Sequence, residues 1–585
     1  MTFEPLRHPL RHLPAGLPSL RRLAERVWAI EHAFERARAE AKPEEDTRVR
    51  IFFILAAFGL AFAAMSVGAT RAALKPSADE LESLPAPVAA RADLVDRNGQ
   101  LLATNLVHYG LYVDPDEVWD RKEARRALLA AQPAISAERL DKALNGEHLA
   151  YVLGGLTPQE RDRIHGLGLP GVSFQEEDRR VYPLGAVASH VIGFADSGGR
   201  GVAGIERSFD QQIEQAGRSG APVALSIDLR VQGALEDELF HAAQAQQAPA
   251  VGVVTDVRTG EILALASWPN FDPNDPVAAG DAGRLDRAAA SVYEMGSTFK
   301  VFTMATALDS GAATLATTFD ARQPLRLGSR AIHDDEAQNR VMTLKDVFIH
   351  SSNIGTAKLA LAMGRDTLVR YFDSFGLFRP AEVELAESTH PITPRTWNDN
   401  SVASAGFGQA ISVTPLQLAE GMGAILNGGT YVPLTLRAMK PGQVPQGRRV
   451  VSPAVTRDIL YLMRQNVVAG TGGKADAPGL SVGGKTGTGQ KVVDHRYSNS
   501  HTVASFAAVF PTDGPVDAKR YFVLILIDDP KGDAESHGVR TGAMVSAPVA
   551  GRVIDRIAPF LGVPRSAAAP VAKTVVEERP EGLGQ

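Results

Sequence analysis

The sequence predicts an α+β protein: one large domain with an antiparallel sheet flanked by helices, preceded by a smaller mixed α/β domain and a single transmembrane helix. Three observations predict it: a long uncharged segment near the N-terminus, strand-like runs joined in pairs by turns, and helical stretches between those pairs. A chain of 585 residues has room for several domains. Its composition, 44% hydrophobic and 22% charged, excludes a disordered or polytopic membrane protein.

The uncharged segment covers the 20 residues 51–70. At about 1.5 Å per residue it spans the roughly 30 Å hydrocarbon core of a bilayer. A cleaved signal peptide begins with a shorter segment and has a shorter apolar core, so we expect an uncleaved anchor. The positive-inside rule predicts a cytoplasmic tail over residues 1–50 and an outer location for the rest, because more basic residues precede the segment (Arg36, Arg38, Lys42, Arg48 and Arg50) than follow it (Arg71 and Lys75).

Residues 71–89, rich in Ala, Pro and Ser, predict a linker. The smaller domain is predicted over residues 90–220. It begins with a strand, an Asn98-Gly99 turn and a second strand. Short strand-like runs then alternate with polar helices, which is why we predict a mixed α/β domain.

The large domain is predicted over residues 221–563. It contains a hairpin around Thr259-Gly260 and a second pair of buried strands, at 502–510 and 521–529. Helical stretches are predicted between them, at 297–308, 344–362 and 414–426. The final segment, 564–585, is rich in Pro, Ala and Glu and is predicted to be disordered.

Composition also limits the chemistry. The chain has no cysteine, which excludes disulfide scaffolds, thiolate metal sites and cysteine nucleophiles. Its net charge of -6 gives no strong positive electrostatic field of the kind that attracts nucleic acid. The 14 histidines are scattered, so we predict no metal site, no cofactor and no nucleic-acid partner.

The first motif is GSTFK, residues 296–300, which opens an apolar helical pattern. Ser297 and Lys300 are three positions apart and share one face of a helix. A serine hydroxyl is a poor nucleophile unless a base lies within hydrogen-bonding distance. A lysine among apolar neighbours has a lowered pKa and can act as that base. Alone, the pattern is weak, because a match is expected about once by chance in a chain of this length, and it then indicates a capped helix with a surface lysine.

The second motif contains Ser351 and Asn353. Such a pair can supply a hydroxyl that relays a proton and an amide that holds a peptide, although both residues are also favoured at helix caps.

The third motif contains Lys485, Thr486, Gly487 and Thr488, after two further glycines. A Gly-rich strand lets another backbone approach closely, and its Lys and Thr side chains can bind a carboxylate. The alternative is a flexible turn.

Residues 479–486 also satisfy the pattern of a nucleotide-binding loop, and the strand ending at Asp528-Asp529 resembles a magnesium-binding strand end. Such a loop should follow a buried strand and open a helix, but the flanking residues have neither pattern. The segment also lies on the predicted outer side of the membrane. We therefore favour a serine enzyme over a nucleotide-binding one.

The three motifs occur in the order found in penicillin-binding proteins and serine β-lactamases, and each occurs once in the chain. From about residue 85 to 560 the chain resembles the class B penicillin-binding proteins, most closely the division-specific FtsI type. Met295 and Ser352 depart from the family, which commonly has Pro and Asp there. The resemblance rests also on DRNGQLLA (96–103), RRVYPLGAVASHVIGF (179–194), GVAGIERSFD (201–210), LSIDLRVQ (225–232) and GFGQAISVTPLQLA (406–419).

The resemblance implies a serine transpeptidase domain of the penicillin-binding and β-lactamase-like fold, preceded by a pedestal domain. It implies a D,D-transpeptidase that cross-links peptidoglycan. Ser297 would attack the D-Ala-D-Ala carbonyl of a stem peptide, Lys300 would take its proton, and Ser351 would pass a proton to the leaving amine. The remaining residues would hold the substrate: Asn353 the donor peptide, Thr486, Gly487 and Thr488 with Lys485 the terminal carboxylate, and the backbone N–H groups of Ser297 and Thr488 the oxyanion.

The resemblance also implies partners and a location. The partners are peptidoglycan stem peptides, β-lactams as covalent inhibitors, and at the septum the glycosyltransferase FtsW of the SEDS type with other membrane proteins of division. The location is the bacterial inner membrane, with the catalytic domain in the periplasm. Two alternatives remain open: an elongation-specific transpeptidase of the same class, and a β-lactam receptor or serine β-lactamase.

Overall fold

The computed structural model describes residues 28, 29, 32, 43–74, 91–278, 280–493 and 496–566. The chain divides into two compact units, Met1–Pro87 and Val88–Gln585. The predicted linker at 71–89 and disordered segment at 564–585 fall mostly outside the described residues, and so does most of the predicted tail at 1–50.

In the first unit, one helix, α1 (Pro43–Leu74), contains the segment predicted as a membrane anchor. Judged by length and hydropathy together, none of the helices in the described part of the chain qualifies as a membrane span. The anchor therefore stays a prediction from sequence.

The N-terminal part of the second unit is built on a five-stranded sheet in the order β3-β2-β1-β7, with β4 also paired to β2. Its longest strand, β2, follows the predicted Asn98-Gly99 turn, where Gly99 has a φ of +81°. The strands are β1 (Leu94–Val95), β2 (Leu101–Val113), β3 (Ala150–Leu156), β4 (Val172–Val181), β5 (Phe194–Ala195), β6 (Gly201–Ala203) and β7 (Val223–Ala224). The helices are α2 (Arg121–Ala131), α3 (Ala137–Leu144), α4 (Pro158–His165), α5 (Ser189–Ile192), α6 (Gly204–Ser208) and α7 (Asp210–Ser219).

The C-terminal part contains an antiparallel five-stranded sheet in the order β16-β17-β18-β8-β9. The predicted hairpin is β8 and β9, and the second predicted pair is β17 and β18. The sheet strands are β8 (Ala250–Asp256), β9 (Ile262–Trp268), β16 (Gly483–Val493), β17 (Arg496–Phe510) and β18 (Tyr521–Asp528). Shorter strands form three two-stranded sheets, β10 with β13, β11 with β12 and β14 with β15: β10 (Thr318–Asp320), β11 (Leu325–Leu327), β12 (Arg330–Ile332), β13 (Val341–Thr343), β14 (Thr430–Tyr431) and β15 (Arg448–Arg449).

Some helices of this part cover the two faces of the sheet, and others pack against those helices. They are α8 (Leu229–Gln246), α9 (Gly280–Arg284), α10 (Arg287–Ala290), α11 (Lys300–Asp309), α12 (Leu344–Ile349), α13 (Asn353–Met363), α14 (Arg365–Ser374), α15 (Asp399–Gly406), α16 (Pro415–Leu426), α17 (Pro453–Ala469) and α18 (Ser546–Ile557). Along β18, Phe522 and Leu524 face one core whereas Val523 and Ile525 face the other. A strand buried on both faces reads as a continuous apolar run, and this explains the YFVLILI sequence.

The predicted helix at 344–362 is wrong in one respect. The structure has two helices, α12 and α13, separated by residues 350–352. Ser351 has a φ of +56°, a left-handed conformation that ends a helix. Ser352 then caps α13, its side chain accepting a hydrogen bond from the N–H of Gly355. The apolar pattern continues across the break, so periodicity alone did not reveal it.

Asp286, which caps α10, is buried beside Glu387. Its Oδ1 accepts a hydrogen bond from Ala288 N at 2.9 Å, whereas its Oδ2 is buried and has no partner among the described residues. Burial raises the pKa of Asp286 to about 7, and repulsion from Glu387 contributes. The backbone N–H groups of Ala288 and Ala289 and the charge of Arg287 oppose this rise.

We expect Asp286→Asn to stabilise the protein above pH 7. The folded protein holds a proton that the unfolded chain releases near pH 4, so the wild type loses stability as the pH rises from about 4 to about 7. Asparagine avoids this loss, for a gain of about 2–4 kcal/mol at pH 8. Thermal unfolding at pH 5 and pH 8 measures it. Asp281→Asn, at a fully exposed side chain, is the control, and an equal pH response of wild type and Asp286→Asn contradicts the prediction.

Candidate active site

Ser297 lies in a 3₁₀ turn, Gly296–Phe299, that leads directly into α11. Gly296 has a φ of +55°, and its N–H donates to Gly408 O at 3.1 Å. The Ser297 side chain is half-buried, and within the described residues its hydroxyl has no hydrogen-bond partner. The turn therefore presents a free hydroxyl, with Lys300 at the first position of the helix.

Lys300 is fully buried. Its Nζ donates to Ser351 Oγ at 3.1 Å, to the Ser351 carbonyl oxygen at 2.5 Å and to Asn353 Oδ1 at 2.8 Å. Burial lowers the pKa of Lys300 to about 7, although the charges of Asp335 and Asp334 oppose this. A substantial fraction of Lys300 is therefore neutral near pH 7 and able to accept a proton.

Ser351 lies between two lysines. Its Oγ accepts hydrogen bonds from Lys300 Nζ at 3.1 Å and from Lys485 Nζ at 3.0 Å. Lys485 is also fully buried, and its pKa is lowered by burial and by the neighbouring charge of Lys300. The left-handed conformation of Ser351 is uncommon for a residue with a side chain and is typical of functional sites.

The second motif is held by Asp334, a residue that the sequence analysis missed. Ser352 Oγ donates to the Asp334 carboxylate at 2.8 Å, and the N–H of Ile354 donates to it at 2.8 Å. Asn353 Nδ2 donates to the His333 carbonyl at 3.2 Å. No local pattern around Asp334 indicates this role, because its partners lie about twenty positions further along the chain.

The third motif lies on β16, at the edge of the described sheet. The Thr486 and Thr471 hydroxyls form a hydrogen bond at 2.7 Å, and Gly542 N donates to Thr488 Oγ1 at 3.2 Å. Asn466 Nδ2, from α17, donates to Gly484 O at 2.9 Å. Thr471, Gly542 and Asn466 were not predicted, and each belongs to a segment distant in sequence.

Residues 483–486 are strand residues paired with β17, so the structure excludes the nucleotide-binding loop considered from sequence. Such a loop follows a buried strand and opens a helix, whereas this segment starts an antiparallel strand. In the described part of the chain, no three His, Cys, Asp or Glu side chains are grouped as metal ligands.

A free serine hydroxyl, a buried lysine of lowered pKa and a serine bridging two lysines are the parts that serine acyl transfer needs. Family comparisons agree with this geometry. Residues 250–555 match the penicillin-binding protein transpeptidase domain, and residues 86–221 match the penicillin-binding protein dimerisation domain. The chain belongs to the penicillin-binding proteins. The α+β fold with a pedestal and a transpeptidase domain is thereby confirmed.

Individual relatives place the chain within the family. It is 57% identical over 562 residues to the probable peptidoglycan D,D-transpeptidase FtsI of Caulobacter vibrioides, covering 94% of this chain and 95% of the relative. It is 33% identical over 499 residues to the peptidoglycan D,D-transpeptidase FtsI of Escherichia coli K12, covering 80% and 82%. This penicillin-binding protein is therefore of the division-specific FtsI type, a peptidoglycan D,D-transpeptidase, as predicted.

Solved structures share the fold. Penicillin-binding protein 3 of Mycobacterium tuberculosis, complexed with aztreonam, matches with a TM-score of 0.64 at 24% identity, over 82% of this chain and 98% of that one. A putative peptidoglycan glycosyltransferase from Atopobium parvulum matches with a TM-score of 0.61 at 22% identity, over 82% and 99%.

Proposed function

We propose that this chain cross-links peptidoglycan stem peptides through an acyl enzyme on Ser297, with Lys300 as its base. The observation that carries the proposal is the buried relay in which Ser351 Oγ accepts hydrogen bonds from both Lys300 and Lys485. This arrangement places one proton-accepting amine beside the nucleophile turn and connects it, through one hydroxyl, to a second amine on β16.

In the first step, the Ser297 hydroxyl attacks the carbonyl carbon of the penultimate D-Ala of a donor stem. Neutral Lys300 takes the hydroxyl proton as the new C–O bond forms. The proton then passes through Ser351 to the nitrogen of the terminal D-Ala. The C–N bond breaks, D-Ala leaves and an ester on Ser297 remains.

In the second step, an amine of another stem peptide attacks this ester. The relay accepts the amine proton and returns one to Ser297 Oγ when the C–O bond breaks. A new peptide bond joins the two stems, and the enzyme is restored. Because one D-Ala leaves for each cross-link formed, no external energy source is required.

The substrate is held by the two remaining motifs. Asn353, which donates through Nδ2 and accepts through Oδ1, suits the backbone amides of a donor peptide. Thr486 and Thr488, with the positive end of Lys485, suit the terminal carboxylate. β16 is an edge strand in the described sheet, so a peptide can add to it as a further strand, with Gly487 permitting close approach.

The oxyanion that forms on the attacked carbonyl is assigned to the backbone N–H groups of Ser297 and Thr488. The close packing of the nucleophile turn on β16 supports this assignment: a Cβ on Gly296 would lie 2.6 Å from the Thr488 carbonyl oxygen. Losing one donor of such a pair costs about 10²–10³ in rate in serine hydrolases.

The test is covalent labelling of the purified chain with penicillin, followed by peptide mass spectrometry. β-Lactams resemble D-Ala-D-Ala, so we expect one adduct, located on Ser297 and absent from Ser297→Ala. Ser291→Ala, at a partly exposed serine in the same segment, is the matched control and should label normally. An adduct that persists in Ser297→Ala would contradict the assignment of Ser297 as the nucleophile.

The same experiment separates the alternative chemistry. A serine β-lactamase releases hydrolysed penicillin quickly, whereas a transpeptidase keeps the adduct. We expect the adduct to persist for many minutes after free penicillin is removed. A labelled fraction that decays within seconds would favour the lactamase.

The domain limits and the cellular location extend this proposal. We place the pedestal at 90–220 and the transpeptidase domain at 221–563, which the family matches at 86–221 and 250–555 support. We further propose an inner-membrane, periplasm-facing enzyme at the septum, working with FtsW and other division proteins. A fluorescent fusion tests this location: a mid-cell band supports it, and fluorescence dispersed along the cell wall contradicts it.

A further inference from the structure

A cavity of about 300 Å³ lies between α17 and the loop that joins β17 to β18, away from the catalytic residues. We call it the arginine pocket, because three arginines line it together with two hydroxyl residues of the adjoining loops. Asp513 is the one carboxylate among its lining residues. The set that defines it is Arg457, Arg464, Arg520, Ser481, Thr512 and Asp513.

Arg520 is the most buried of the three arginines, being only 1% exposed. Its two terminal nitrogens donate to carbonyl oxygens of residues 513–518, at distances from 2.6 to 3.4 Å. Its Nε is buried and has no partner within the described residues. In that same part of the chain no carboxylate lies within ion-pair distance of it, and burial lowers the pKa of Arg520.

A buried charge without a counter-ion is costly. The carbonyl groups satisfy hydrogen bonds of Arg520 but bring no negative charge. Asp513 and Asp517 act on it only at longer range, and both are exposed to solvent. Three arginines and one carboxylate line the pocket, and of these arginines only Arg464 has a carboxylate partner, Asp476, in the described part of the chain.

Two further guanidinium groups come from one face of α17. Arg457, Tyr461 and Arg464 are spaced four and three positions apart, so they share that face. Arg457 is exposed and, in the described part of the chain, makes neither a hydrogen bond nor an ion pair. The Nη1 of Arg464 donates hydrogen bonds to Asp476 Oδ1 and to the Val482 carbonyl oxygen, both at 2.7 Å. Its Nε and Nη2 are left available to donate to a ligand.

We propose that the arginine pocket binds a phosphate-class oxyanion. Guanidinium groups bind such anions through paired, charge-assisted hydrogen bonds, and a tetrahedral anion can accept them from several sides. The volume admits a phosphate or a small phosphate monoester. The Ser481 and Thr512 hydroxyls bond to each other at 2.8 Å, and Thr512 Oγ1 donates to the Ser481 carbonyl at 2.9 Å, so the arginines are the donors that the pocket offers to an anion.

The pocket is next to the start of β16, the strand that contains Lys485. Thr512 N donates to Ser481 O at 2.9 Å, and Arg464 holds the carbonyl of Val482, the residue before β16. An anion bound to Arg464 would stabilise the position of Val482, three positions before Lys485. The binding itself is independent of the proposed function, because it involves none of the catalytic residues.

The test is calorimetric titration of the purified full-length chain with inorganic phosphate, at an ionic strength held constant with chloride. We expect saturable binding to the wild type. Arg457→Gln should weaken it by roughly tenfold, since one charge-assisted contact is lost. Arg326→Gln, at another exposed arginine without a partner in the described residues, should bind as the wild type does.

Glycerol phosphate in a parallel titration distinguishes a free from an esterified ligand. Binding at least as tight as that of inorganic phosphate supports an esterified ligand, and tighter binding of inorganic phosphate supports a free one. Arg457→Gln should still be acylated by penicillin at the wild-type rate in the absence of phosphate, which checks that it is folded. The proposal is overturned if neither anion binds saturably, or if Arg457→Gln binds as tightly as Arg326→Gln.

Discussion

Replacing Lys300 by methionine will slow acylation of Ser297 by penicillin by about 10³-fold, because a positioned general base contributes about 10²–10⁴ in rate. Methionine has a similar length and fills the same buried space, but it has no group that accepts a proton. The nucleophile turn and α11 should keep their positions. Stopped-flow measurement with a fluorescent penicillin gives the acylation rate, and thermal unfolding checks the fold.

Lys300→Arg is the matched control for charge. It keeps a cation and several donors toward Ser351 and Asn353, but a guanidinium stays protonated in proteins. If Lys300 acts as a base, arginine should be as slow as methionine. If its charge alone matters, arginine should be close to wild type. An Lys300→Met variant within tenfold of wild type would falsify the base assignment.

The pH dependence of the wild type tests the same assignment. The pKa of Lys300 is lowered to about 7 by burial, and only the neutral amine accepts the Ser297 proton. The acylation rate should therefore rise between pH 6 and pH 8 and level off above that range. Lys485 and Lys300 interact through charge, so the profile reports the pair rather than one lysine. A flat profile from pH 5.5 to 8.5 contradicts the mechanism.

The two buried lysines also explain why Ser351 needs its unusual conformation. Burial lowers the pKa of both lysines, and the charge of Lys300 lowers the pKa of Lys485 further. The left-handed backbone at Ser351 turns its hydroxyl and its carbonyl toward Lys300. A single residue thus supplies two acceptors to Lys300 and one to Lys485, which a regular helix at this position could not.

The sequence predicted the residues of the relay but not its supports. Ser297, Lys300, Ser351, Asn353 and Lys485 belong to short motifs whose spacing reflects local chemistry, and the structure brings Lys300, Ser351, Asn353 and Lys485 into hydrogen-bonding contact. The supporting residues are tied to them only by tertiary contacts between distant segments. No periodicity or motif marks such contacts. They are Asp334, Asn466, Thr471 and Gly542.

For the fold, the sequence likewise predicted the buried strands but not how they are arranged in the sheet. Strands buried on both faces, such as β8 and β18, are continuous apolar runs, and their turns carry glycine or proline. The order of the five-stranded sheet was not predictable, because β8 and β9 come more than 200 positions before β16 yet lie in the same sheet. The break between α12 and α13 was missed because the apolar pattern spans it.

The close packing of β16 on the nucleophile turn depends on glycines. A Cβ built on Gly489 would lie 1.9 Å from the carbonyl oxygen of Glu294, three residues before Ser297. A Cβ on Gly487 would lie 2.5 Å from the carbonyl oxygen of Met295. Both obstacles are backbone atoms, which no side-chain rotation can remove, so any larger residue must push the turn away from the strand.

Gly489→Ala will therefore lower the penicillin acylation rate by at least about 10²-fold, the cost of one misplaced oxyanion donor, and will also lower the melting temperature. Gly423→Ala, in α16, is the matched control: nothing lies within 4 Å of its added Cβ, and alanine in a helix interior stabilises by up to about 1 kcal/mol. Stopped-flow acylation and thermal unfolding of both variants measure the two effects. If Gly489→Ala is acylated as fast as Gly423→Ala, the contact between turn and strand does not position Ser297, and the oxyanion assignment to Thr488 loses its support.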